Sequence, residues 1–163
     1  MKDSNKISCK LKYSVVVLSL VFSSLCINAQ NCRQFHKSRL CMEKNEPGFS
    51  LYGQSKSGFF EIDSVFSYEA ILYGQKDYIV SVCTERGYEP IHYKIIDKET
   101  KDVFYDNIED DYFESIGFTV DKPQKVIIEV AIKARGLKPD NFTENRACVG
   151  VLILWRKVSK LGF

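Results

Sequence analysis

Histidine and cysteine are the residue types in this chain best equipped for chemistry, and their spacing limits what they can do. Cys32, His36 and Cys41 stand in a Cys-x3-His-x4-Cys arrangement. Structural zinc prefers tighter Cys-x2–4-Cys pairs and a fourth ligand, and none is evident nearby. Beyond residue 29 the cysteines are Cys32, Cys41, Cys83 and Cys148. An even count of this kind is read as a disulfide framework in an exported protein. Four cysteines allow three pairings. The expected one is Cys32–Cys41 plus Cys83–Cys148: the first two are close in sequence and outside any strand pattern, while the others end one strand and begin another. His92 lies between Ile91 and Tyr93 on a strand, as an ordinary surface or inter-sheet residue would. No Gly-x-Ser-x-Gly, His-Glu-x-x-His or Ser-x-x-Lys motif occurs, and Ser55-Lys56-Ser57 has the wrong spacing. No catalytic residue is therefore assigned, and the chain is read as no enzyme.

Two further groups could bind rather than react. Asp106, Glu109, Asp110 and Asp111 could supply oxygens to Ca²⁺, although their spacing is not that of an EF-hand, and a solvated turn is the plainer alternative. Loops on a rigid sheet are the usual place for recognition, so this loop is expected to mark the functional end of the domain. Tyr73, Tyr88, Tyr105, Tyr112 and Trp155 could form an aromatic platform for a sugar, with Asn107 or Asp106 as polar partners. Against that, tyrosines in a domain of this size usually pack inward with the hydroxyl at the rim. Asp63-Ser64-Val65 is similar to a bacterial O-glycosylation sequon, and Asn141-Phe142-Thr143 is an N-glycosylation pattern.

These residues need a scaffold, and the N-terminus says where it is built. Lys2, Lys6, Lys10 and Lys12 precede the apolar run Tyr13–Cys26, which leads to Ile27-Asn28-Ala29 and then Gln30. Basic start, short apolar core and small residue form a secretory signal, expected to be cleaved after Ala29. The apolar run is about 14 residues, short of the roughly 20 that span a bilayer. The mature chain is expected to hold no stable membrane span and to reside in the periplasm or outer envelope. The signal holds four of the 23 basic residues and one of the 21 acidic ones, which leaves 19 against 20. A near-neutral domain lacks the footprint of a nucleic-acid binder.

Residues 30–48 are expected to be a disulfide-closed N-terminal segment ended by Pro47-Gly48. From there to residue 163 the pattern is that of strands. Phe66, Tyr68, Ala70 and Leu72 alternate along Val65–Tyr73. Tyr78, Val80 and Val82 share one face of Tyr78–Thr84. Ile116, Phe118 and Val120 are in phase along Tyr112–Val120. Val126, Ile128, Val130 and Ile132 alternate with wet residues such as Glu129. Cys148–Trp155 is apolar on both faces, as a covered central strand would be. Ala134–Ala147 reads as a polar loop and 156–163 as a frayed tail. About nine short strands with turn signals every 8–12 residues predict an all-β fold, an antiparallel β-sandwich that is jelly-roll-like or immunoglobulin-like.

Several stretches carry a resemblance: Cys32…Phe35-His36-Lys37…Cys41, Tyr52-Gly53-Gln54-Ser55, Tyr73-Gly74-Gln75-Lys76-Asp77-Tyr78, Tyr105-Asp106-Asn107 and Ala147-Cys148-Val149-Gly150-Val151. With them the chain resembles a family of small secreted proteins of Bacteroidota-type bacteria, which supplies no catalytic motif. More distantly, the Ile127-Ile128-Glu129-Val130 strand is similar to those of pre-peptidase C-terminal-like sandwich domains. The expectation is a secreted, non-catalytic binding or accessory module of the cell envelope, whose ligand is a carbohydrate or an envelope protein. A structural or assembly component of an envelope complex is the alternative, with a small hydrolase behind it. No cofactor is expected apart from the calcium considered above.

Overall fold

The structure, a computed structural model, describes residues 32–42, 46–133 and 145–158. The expected signal segment and cleavage point lie outside these residues, as do Asn141 and most of the expected 134–147 loop. The described residues belong to one compact unit. It opens with a 3₁₀ turn, Phe35–Lys37, and a one-turn helix α1, Arg39–Met42. Among the described residues nine strands follow: β1 Ser50–Leu51, β2 Lys56–Glu61, β3 Val65–Leu72, β4 Lys76–Thr84, β5 Ile91–Asp97, β6 Val103–Asp106, β7 Ser115–Val120, β8 Gln124–Ile132 and β9 Arg146–Lys157.

The strands form two antiparallel sheets. In the first, β9 lies between β4 and the β1/β2 edge, and β7 forms the far edge; the second runs β3-β8-β5-β6. Six of the seven connections from β2 to β9 cross between sheets, and only the β5–β6 hairpin stays within one. That interleaving is a jelly roll rather than an immunoglobulin sandwich, whose hairpins keep more neighbours in the same sheet.

Alternation explains the core. Tyr68, Ala70 and Leu72 of β3, Tyr78, Val80 and Val82 of β4, and Val126 through Ile132 at every second position of β8 are buried and face one another between the sheets. β9 is buried from Ala147 to Leu154 because both its faces are covered. Its inner residues join the core, and the N-terminal segment lies over Gly150 on the other side. Glycine is required there. A Cβ on Gly150 would lie 2.8 Å from Cys83 Sγ, 2.9 Å from Cys41 Sγ and 2.9 Å from the His36 Cα.

Three expectations are corrected. The disulfides are Cys32–Cys148 and Cys41–Cys83, with Cα separations of 5.2 and 5.4 Å. Cys83 pairs across the ladder with Gly150, so Cys148 sits two residues along the neighbouring strand. The N-terminal segment spans both positions, one cysteine at each end, so it is stapled to the sheet instead of closed on itself. The tail does not fray at residue 156, because β9 runs to Lys157 and Arg156 pairs with Asp77 on β4 at 2.9 Å. The strand expected from Tyr112 starts only at Ser115. Asp111 and Tyr112 have φ of 52° and 61°, which no strand residue adopts.

Candidate functional edge

The two sheets do not close on each other along β6 and β7. Among the described residues β6 pairs only with β5 and β7 only with β4, so both present an unpaired edge on the same side of the sandwich. Between them lies a cleft of about 320 Å³, lined by Ile95, Phe104 and Tyr105 from one sheet and Ile116 and Phe118 from the other. Phe104 of the lining and its neighbour Val103 are more than half exposed, as is Phe113 in the segment that joins β6 to β7, where Ile108 is close to half. Four large apolar side chains at one edge form a surface that a solvated protein rarely leaves without a use.

The β6–β7 connection, residues 107–114, closes one end of this edge, and Asn107 holds it. Asn107 is fully buried. Its Oδ1 accepts the Tyr93 N–H at 2.8 Å, and its Nδ2 donates to the carbonyls of Ile91 at 2.9 Å and Phe113 at 3.2 Å. Its own carbonyl accepts the Tyr112 N–H at 2.7 Å. A short polar side chain at a turn supplies the backbone partners that the ladder no longer can. Asn107 is therefore a positioning residue and not the expected sugar contact.

The four expected carboxylates do not act as one group. Asp106 ends β6 and turns to the outer face of its sheet. There it accepts from His92 Nε2 at 2.7 Å and Lys94 Nζ at 2.8 Å, and from the Ile108 N–H at 3.2 Å. Partial burial opposes its ionisation, but these donors together outweigh it and hold the carboxyl below its usual range. Glu109, Asp110 and Asp111 are exposed on the connection and form no ion pair among the described residues. No three His, Cys, Asp or Glu side chains among the described residues converge as metal ligands. Cys32 and Cys41 are both oxidised, and His36 Nδ1 is engaged with Ser57 Oγ at 2.9 Å, so the zinc arrangement is not formed.

The five aromatics do not make one platform either. Tyr73 and Trp155 lie toward the end of the sandwich where β4 begins and β9 finishes. Lys76 covers them there, its Nζ 3.9 Å from the Trp155 ring centroid and 5.2 Å from that of Tyr73. Tyr105 and Tyr112 belong to β6 and the 107–114 connection, where Tyr112 stands edge-on to His92. Tyr88, in the β4–β5 loop, packs against the core. The aromatics separate because the β3–β4 turn and the β6–β7 connection leave from opposite ends of the strands. The Tyr93 and Tyr105 rings lie 5.5 Å apart, and neither hydroxyl completes a hydrogen bond. Burial, with Asp110 beside it, pushes the Tyr105 hydroxyl up to about 12, so it stays protonated at neutral pH. Ser64 of the sequon-like triplet is exposed in the β2–β3 turn, far along the sandwich surface from Lys76.

The edge itself was not singled out by sequence reasoning. Ser115–Val120 carries no charge and no proline, but sequence alone does not say that it lies at an edge.

No protein-family model and no curated protein matches the chain. Among solved structures it is similar to the crystal structure of Aeromonas hydrophila PliG, a periplasmic lysozyme inhibitor of g-type lysozyme. That match has 10% identity and a TM-score of 0.44, and covers 63% of this chain and 84% of that one. At that identity no residue of the neighbour is carried onto this edge.

Proposed function

We propose that this chain is an exported, non-catalytic jelly-roll module that binds a partner protein of the cell envelope through its open β6–β7 edge. The observation that carries the reading is the coincidence of two unpaired strands, an apolar cleft between them and exposed Val103, Phe104 and Phe113 on β6 and the connection that follows it. Backbone edges and apolar clefts suit polypeptide better than sugar, which needs a flat ring with convergent polar groups. Of the aromatics considered for a sugar, Tyr73 and Trp155 are instead both covered by the chain's own Lys76. Two disulfides joining distant segments fit an oxidising compartment.

The test compares two double variants in binding to solubilised envelope protein and to purified envelope polysaccharide. Phe104→Ser/Phe113→Ser removes exposed side chains and should leave the fold intact. It should abolish protein binding, since burying each ring contributes about 1.5–3 kcal/mol. Tyr73→Ala/Trp155→Ala should bind protein as the parent does. Polysaccharide binding lost only in the second variant would overturn the proposal in favour of the glycan.

A further inference from the structure

The mode of binding and the chemistry of the bound segment follow from which edge is left unguarded, given the partner-protein reading above. Natural sheets protect their edges with charges, prolines, bulges or shortness. The β2 edge carries Lys56 and Glu61, the latter paired with Arg146. The β3 edge carries Glu69, paired with Lys98. β6 has four residues, ends in Asp106 and meets a register shift in β5. β7 has six residues, Ser-Ile-Gly-Phe-Thr-Val, with no charge, proline or register break.

Its backbone groups are placed for pairing. The Val82 N–H donates to the Glu114 carbonyl at 2.9 Å, which fixes the phase of the ladder. In an antiparallel pair, hydrogen-bonded residues alternate. Ile116, Phe118 and Val120 therefore spend their N–H and C=O groups on β4. Those of Ser115, Gly117 and Thr119 point to the open edge. Ile116 and Phe118 turn their side chains toward the cleft, so every second residue of an added strand would lie over it.

We propose that β7 accepts an extended segment of another protein as an added antiparallel strand, with apolar residues at alternate positions and basic residues at its C-terminal end. The polarity follows from geometry. An antiparallel segment finishes beside Ser115, where the connection presents Glu109, Asp110 and Asp111. A second copy of this chain fits less well. With the outward-bonding residues matched, Gly117 against Gly117, it would bring Asp121 and Lys122 to the connection, a neutral pair in place of a basic end.

The experiment titrates the ¹⁵N-labelled full-length chain with the octapeptide Thr-Val-Thr-Val-Thr-Val-Lys-Arg and follows its amide resonances. The expected result is a change confined to Ser115, Gly117, Thr119 and the cleft. Affinity should fall about tenfold when the last two residues of the peptide are Asp-Glu. Gly117→Pro should abolish binding, because it removes an outward N–H without touching the β4 ladder, while Gly117→Ala should retain it. A Cβ there meets only ordinary contacts at 3.8 Å, so Gly117→Ala leaves the fold intact, and an edge strand tolerates proline where its N–H faces outward. Binding at Phe104 and Phe118 that survives Gly117→Pro would sink strand addition and leave the cleft reading standing. No change at edge or cleft would sink both. Concentration-dependent dimerisation with the same β7 changes would assign the edge to a second copy and overturn the heterologous partner.

Discussion

Asn107→Ala is the most informative single change, because it tests whether one side chain holds the loop that bounds the functional edge. The substitution leaves the Tyr93 N–H and the Ile91 carbonyl without their side-chain partner, and both residues are fully buried. The Phe113 carbonyl also loses its donor, but water reaches that residue. A buried backbone group left unsatisfied costs about 1–3 kcal/mol. Two of them, with partial relaxation, give a loss of about 3 kcal/mol. With a urea slope of about 2 kcal/mol/M, the midpoint should fall by about 1.5 M. The assay is equilibrium unfolding with the disulfides intact, followed by far-ultraviolet circular dichroism. Asn107→Asp separates the hydrogen bonds from packing: it keeps the acceptor for Tyr93 but faces two carbonyls with a carboxylate. Its deficit against the parent should shrink as the pH falls, since a protonated carboxyl can donate to one of them. A shift below about 0.3 M for Asn107→Ala would refute the claim that Asn107 organises the connection.

Other outcomes follow from the stapled N-terminal segment. Gly150→Ala should destabilise by about 1–3 kcal/mol in the same assay, because its Cβ meets a disulfide and the His36 backbone that cannot move aside; parental stability would mean that the segment docks elsewhere. Burial first, and Lys37 second, lower the pKa of His36. The folded state therefore disfavours its protonation: its contribution is complete above the unfolded value of about 6.5 and is lost as the pH falls below that value through the lowered folded one. The urea midpoint should decline between pH 7.5 and 5, and His36→Asn should flatten that slope. Peptide mapping without reduction should recover Cys32 linked to Cys148 and Cys41 linked to Cys83, and a Cys32–Cys41 peptide would contradict the stapled arrangement. In the loop-entropy account, separations of 116 and 42 residues make these bridges worth about 5 and 4 kcal/mol before strain.

Period-two alternation made the strands legible, since burial on one face is written directly into types such as Tyr78, Val80 and Val82 or Val126 through Ile132. It could not show strand order, so jelly roll and immunoglobulin sandwich stayed level until β9 was seen between β2 and β4. Phe66 kept the phase of its strand yet remains 44% exposed, because it lies at the rim beside Phe60. The cysteine pairing failed for a related reason. Proximity in sequence favoured Cys32–Cys41, but the intervening turn and α1 carry the two thiols to different points of one sheet. Acidic residues 106–111 looked uniform in one dimension. In space Asp106 belongs to a strand, with Lys94 and His92, while its neighbours belong to a loop. Asn107 is common in composition and specific only through three backbone groups, two contributed by β5 and one by Phe113, two residues before β7. The open edge is a property of topology, and no window of sequence reports which strand lacks a neighbour.

Photocrosslinking in the cells that make the protein tests the central claim most directly. A photoreactive residue at Val103 on β6 or Phe113 on the connection after it is compared with one at Val65 on the opposite edge, which is also more than half exposed. The account predicts one discrete adduct from Val103 and Phe113, absent from Val65, that a protease degrades and a glycosidase leaves intact. Equal labelling from both edges, or an adduct that only the glycosidase removes, would contradict it.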